Sequence, residues 1–135
     1  MATLEELLGA GLVELVERDP EIAATRLEEA RRHLRSAETI AEEDPNGAYQ
    51  LAYDGARKAV TAHMAGAGVR IRRGEGAHVI TAQYAEVAIS EGLGRRLDRM
   101  RRRRNRSEYA SAHFEHREIA DAIEVARELV AEVGA

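Results

Sequence analysis

Every apolar run in this chain repeats with the period of an α-helix. Leu4, Leu7, Leu8, Leu12, Leu15 and Val16 follow one another at helical spacing, as do Tyr49, Ala52, Tyr53, Ala56, Val60 and Met64. No segment alternates apolar and polar residues long enough to build a sheet. The fold class is therefore all-α, an up-and-down bundle of about five to six helices. Alanine supplies 25 of the 135 residues, while Phe and Tyr together supply five and Trp none. Alanine favours the helix but buries little area, so the bundle is expected to be thin and closely packed. A second subunit would complete such a core, and a homodimer is expected.

The length fits a single domain over residues 1–135, with 1–19 as a helical extension and 20–134 as the bundle. Without cysteine there is no disulfide framework and no thiolate metal site, which fits a cytoplasmic location. The first residues lack the basic leader of a signal peptide, and no run has the eighteen or so apolar residues of a membrane span, so no membrane partner is expected.

Caps divide the chain. Thr3 with Glu6 reads as a capping box opening a first helix that reaches Val16. Asp19-Pro20 and Asp44-Pro45 each place an N-cap acid before a proline at the first helical position. They open a second helix running to about Glu43 and a third over Pro45–Ala65. Val69–Gly76 is a basic loop bounded by glycine, in which Val69 and Ile71 are too few to make a sheet. A fourth helix spans Ala77–Ser90, and Gly92 and Gly94 break or kink it. The fifth runs over Leu93–Tyr109. After a polar connector at Ser111–His116, a sixth carries Ile119, Ile123, Ala126, Val130 and Val133 on one stripe.

The fifth helix holds the charge anomaly. Eight of the twenty basic residues fall between Arg95 and Arg106, interrupted by Asp98 alone, so this stretch carries +7 in a chain whose net charge is -4. Projected at about 100° per residue, Leu93, Leu97 and Met100 share a line with Arg104. Arg95, Arg99, Arg102 and Arg106 lie on the opposite pole. Like charges at these spacings repel, and the acids for pairing are mostly absent, with only Asp98 and Glu108 near. The outer row is either a solvated face or a surface for polyanions, with Arg101, Arg102 and Arg106 as candidate RNA contacts. Arg104 on an apolar line has to pair, snorkel or open into a cleft. Its structural partners would be Glu108, one turn on, or Asp54 on the third helix.

His78 stands at the start of the fourth helix, where free amides favour anions, and Arg72 and Arg73 precede it. These three are either a further phosphate site or ordinary loop residues. No phosphate-binding lysine motif, nucleophile motif or metal-ligand spacing is present, so neither a cofactor nor a metal is expected.

RMRRRRNRSEY, with Arg104-Asn105 and an aromatic four positions after the asparagine, resembles the signature of HEPN (higher eukaryotes and prokaryotes nucleotide-binding) domains. YDGARKAV on a mid-chain helix, the basic glycine loop with GAH, and the final amphipathic helix extend the resemblance over about Glu21 to Val133. It implies a dimeric helical bundle with the two motifs facing across a cleft. It further implies RNA or nucleotide binding and, in many relatives, metal-independent endoribonuclease activity of toxin–antitoxin type with a nucleotidyltransferase antitoxin as partner. By that resemblance Arg104, Asn105 and Tyr109 are the catalytic candidates. The chain departs from the pattern at Tyr109, where the family carries histidine. A phenol with a pKa near 10 is a poor base at neutral pH. Tyr109 also projects about 140° away from Arg104 on a straight helix. A second reading follows: a catalytically inactive interaction module, antitoxin-like or scaffolding. A third makes Tyr109 a target for adenylylation by the partner.

Overall fold

A computed structural model of the protein describes residues 3–72, 76–109 and 113–135, with residues 107–109 described in backbone alone. Its elements are α1 (Leu4–Gly9), β1 (Val13–Leu15), α2 (Pro20–Ile40), α3 (Pro45–Ala67), β2 (Val69–Ile71), α4 (Ala77–Ala88), α5 (Glu91–Tyr109) and α6 (His116–Gly134). The class is all-α, with six helices among the described residues.

The helix starts obey the local chemistry of their caps. Asp19 accepts a hydrogen bond from Ile22 N at 3.0 Å, and Asp44 accepts one from Gly47 N at 3.0 Å. Each is followed by a proline in the first turn, where a missing N–H costs nothing. Such a cap contributes about 1 kcal/mol. Thr3 Oγ1 likewise accepts from Glu6 N at 3.2 Å. α6 opens with a reciprocal capping box between Glu115 and Glu118.

α3 is the central element. It packs most extensively against α2, then α6, and also touches α4, α5 and β2. Ala52, Ala56, Ala59 and Val60 on α3 and Ala30 and Ala37 on α2 are fully buried. Small side chains let these two helices lie close together, as the alanine content implies. α4 and α5 form a second pair, with Tyr84 and Leu97 among the wholly buried side chains.

Two segments differ from the sequence reading. The first helix stops at Gly9 and does not reach Val16. Gly11 turns the chain at φ 73°, and Val13–Leu15 then pairs antiparallel with Val69–Ile71. The register is Val13 with Ile71, Glu14 with Arg70 and Leu15 with Val69. The helical spacing of Leu12, Leu15 and Val16 was therefore not used: Val13 is the buried residue, and Leu15 is exposed. Tertiary pairing overrode local period. The loop expected at Val69–Ile71 accordingly supplies the second strand. Gly92 and Gly94 neither break nor end a helix. α4 closes earlier, at Ala88, and both glycines lie inside the first turns of α5.

Candidate functional site

The site is assembled from α3, α4 and α5. On α3, Tyr49, Tyr53 and Arg57 recur every four residues and share a face. Tyr53 is 1% exposed. A buried phenol needs a partner for its hydroxyl, and Tyr53 finds it on α4: its Oη lies 2.9 Å from His78 Nδ1, sharing one hydrogen bond. Over the ring of the same tyrosine lies the Arg104 guanidinium from α5, 4.9 Å from the centroid. A cation–π contact of this kind contributes about 0.5–2 kcal/mol, more as water is excluded.

Two more guanidiniums stand by. Arg57 contacts Asp54 at 3.8 Å, and Arg101 is held by Asp98 at 2.9 Å. Their fields register on the titrating groups. His78 is held below its ordinary value first by burial, then by Arg57 and Arg104, with Asp54 opposing and Arg101 adding. Tyr53 is pushed above the usual phenol value by burial, against the pull of Arg104, Arg57 and Arg101. At neutral pH both groups are uncharged, beside three permanent cations. That is an environment for an anionic oxygen, with neutral donors and acceptors alongside the charges.

Asp54 also faces a second polar group. Lys58, the single lysine of the chain, lies 2.9 Å from Glu29 Oε2 and 2.9 Å from His33 Nε2. His33 is lowered by burial and Lys58, and raised in part by Asp54.

The arginine run separates into distinct roles. Leu93, Leu97 and Met100 are buried, whereas Arg95, Arg99, Arg102 and Arg106 are exposed, in agreement with the helical projection. Arg103, which nothing in the sequence distinguished, is the structural anchor. It pairs with Glu118 through Nε at 2.5 Å and Nη2 at 3.3 Å, donates to the His113 carbonyl at 2.9 Å and covers Phe114 at 4.3 Å. Phe114 in turn stacks on Tyr49 with centroids 4.1 Å apart. The shortage of neighbouring acids is also corrected. Arg95 meets Glu86 and Glu91, and Arg96 meets Glu124 and Glu128, so the carboxylates arrive from α4, α6 and the start of α5. Arg102 reaches Asp98 at 3.3 Å, while Arg99 and Arg106 form no ion pair among the described residues. Arg99, Arg102 and Arg106 of the outer row border a groove of about 540 Å³ lined by both α5 and α6, with Met100, Ala122 and Val125 among its apolar residues.

Of the residues singled out in the sequence, Arg104, Arg101, His78 and Asp54 gather around Tyr53. Arg102 and Arg106 face the outer groove, and Arg72 lies 3.9 Å from Glu14 on β1. Asn105 is half-buried on α5. Arg73 and the side chains of Glu108 and Tyr109 lie outside the described residues. Tyr53 and Arg57 were missed as site residues. The available signal was a tyrosine on an apolar stripe whose hydroxyl needed a partner, with an arginine one turn on.

Among the described residues no helix is long and apolar enough to cross a membrane. No curated protein and no solved structure matches the chain. A family model for the HEPN domain matches residues 23–135, a span that includes Tyr53, His78 and the whole arginine helix. The chain belongs to the HEPN domain family, and that membership supports a nucleotide- or RNA-related function.

Proposed function

We propose that this protein is a dimeric RNA-binding HEPN protein that seats an RNA phosphate at Arg104 and cleaves the chain there without a metal, as a toxin–antitoxin endoribonuclease would. The carrying observation is the stack of Arg104 on Tyr53, with His78 bonded to the same tyrosine and Arg57 and Arg101 adding to the field. Arg104 would neutralise charge building on the phosphorus oxygens, and Asn105 would contribute a neutral donor beside it. Arg102 and Arg106 would hold flanking phosphates outside the cleft. The test is total RNA treated with purified protein or with Arg104→Ala. Loss of cleavage in the variant supports the reading, and indistinguishable RNA profiles overturn it. The dimer is checked by light scattering, where a monomer at micromolar concentration would count against it.

A second reading is favoured by one specific observation: α5 stays helical through Tyr109. On a continuous helix, positions 104 and 109 stand about 140° apart around the axis. On this reading the protein is a non-catalytic interaction module in which Tyr109 has replaced the histidine. An inert wild type and a Tyr109→His variant that cuts RNA would support it. Co-expression with a nucleotidyltransferase partner, followed by intact mass, would reveal an AMP group on Tyr109.

A further inference from the structure

We infer that His78 is the proton-transferring group of this site and that Tyr53 is its positioning residue. The inference rests on the ribonuclease reading and supplies what that reading lacks, a base close to Arg104.

The other histidines are placed elsewhere. His63 is bonded to Tyr84 at 2.8 Å, and His33 to Lys58. His113 and His116 flank the start of α6. Among the described residues, His78 is the histidine that shares Tyr53 with Arg104. Tyr53 joins the two, taking the guanidinium on its ring and the imidazole on its hydroxyl. Because Tyr53 is buried, its Oη fixes Nδ1, and Nε2 carries no hydrogen bond among the described residues. The groups facing His78 are Tyr53, Asp54 and Arg57 from α3 and Arg101 and Arg104 from α5. Burial and three guanidiniums against one carboxylate keep the ring neutral near pH 7, the state a base requires.

In the step that follows, Nδ1–H donates to Tyr53 Oη, and Nε2 takes the proton of a ribose 2'-hydroxyl. The 2'-oxygen forms a bond to the adjacent phosphorus, and the bond from phosphorus to the 5'-oxygen breaks. The leaving 5'-oxygen takes a proton from water, and the hydroxide so formed removes the proton from His78. The products are a 2',3'-cyclic phosphate and a 5'-hydroxyl, with the enzyme returned to its starting state.

The test measures cleavage and binding together on a fluorescein-labelled oligoribonucleotide of mixed sequence, with its 2'-deoxy counterpart as the uncleavable control. Wild type, His78→Gln, Tyr53→Phe and Arg104→Ala are compared across pH, each first checked for a wild-type melting profile. His78→Gln is expected to lose cleavage by about 100-fold or more while still binding the RNA, and to lose the acid limb of the rate profile. Tyr53→Phe keeps a bell or limb but moves its midpoint, which a merely structural role would not do. If His78→Gln cuts as wild type does while Arg104→Ala does not, the inference fails and the ribonuclease reading survives. If wild type binds RNA at every pH and never cuts it, both fail.

Discussion

Gly94 on α5 lies against the backbone of Glu86 on α4, so close that an added Cβ would stand 2.5 Å from the Glu86 Cα. Glycine here allows two helices to touch backbone to backbone, and it has nothing to do with ending a helix. Gly94→Ala should therefore push α4 and α5 apart. The expected loss is about 1–3 kcal/mol in urea unfolding, typical of overpacking. Gly92, beside which a Cβ meets nothing, is the control and should tolerate alanine.

Arg103 and Glu118 tie α5 to α6, and the tie has a defined pH signature. The Arg103 hydrogen bond holds the Glu118 carboxyl below its ordinary 4.5. A lowered folded value means stability that is complete above 4.5 and drains away as pH falls through the folded value. Glu118→Gln should remove that acid-side loss from denaturation midpoints measured across pH. An unchanged acid slope in the variant would show that the pair contributes nothing.

His63 titrates in the same direction for a different reason. Burial lowers it from 6.5, and its Nδ1 lies 2.8 Å from the buried Tyr84 hydroxyl. Below 6.5 the unfolded chain takes up a proton that the folded chain refuses. Stability should begin to fall as pH drops under that value, and His63→Gln should delay the onset. Thermal melts in steps of pH would resolve the two profiles.

Arg99, Arg102 and Arg106 give an electrostatic prediction. Replacing all three with glutamine should weaken RNA binding and reduce the slope of log K against log salt by about 2, at about 0.7 per single-strand phosphate contact. Fluorescence anisotropy over a salt series measures this. A slope unchanged by the triple replacement would assign the row to solvation alone.

What could be read from the sequence was whatever chemistry is local. Asp19-Pro20 and Asp44-Pro45 mark helix starts because cap and proline act within one turn. The buried line of Leu93, Leu97 and Met100 follows from helical period alone. The rest depends on partners distant in the chain. Glu118, Glu124 and Glu128 meet their arginines across a helix interface, and no spacing rule pairs them. Arg104 stands out on its apolar line, but helical spacing does not separate the tyrosine beneath it from core, because aromatic burial and aromatic function share one pattern. Residues 12–16 carried a helical spacing that the strand at 69–71 overrode.

That small ribbon has a bearing on where the domain ends. The family match starts at residue 23, after β1. Yet Val13–Leu15 supplies the whole ladder for Val69–Ile71, reinforced by Glu14 with Arg70 at 2.6 Å and by Arg72 N donating to the Leu12 carbonyl at 3.1 Å. Residues ahead of the family's own border thus supply hydrogen bonds that residues inside it use. A protein trimmed to that border would leave the backbone of Val69–Ile71 without its ladder partner. The folded unit is longer than the stretch the family model matches.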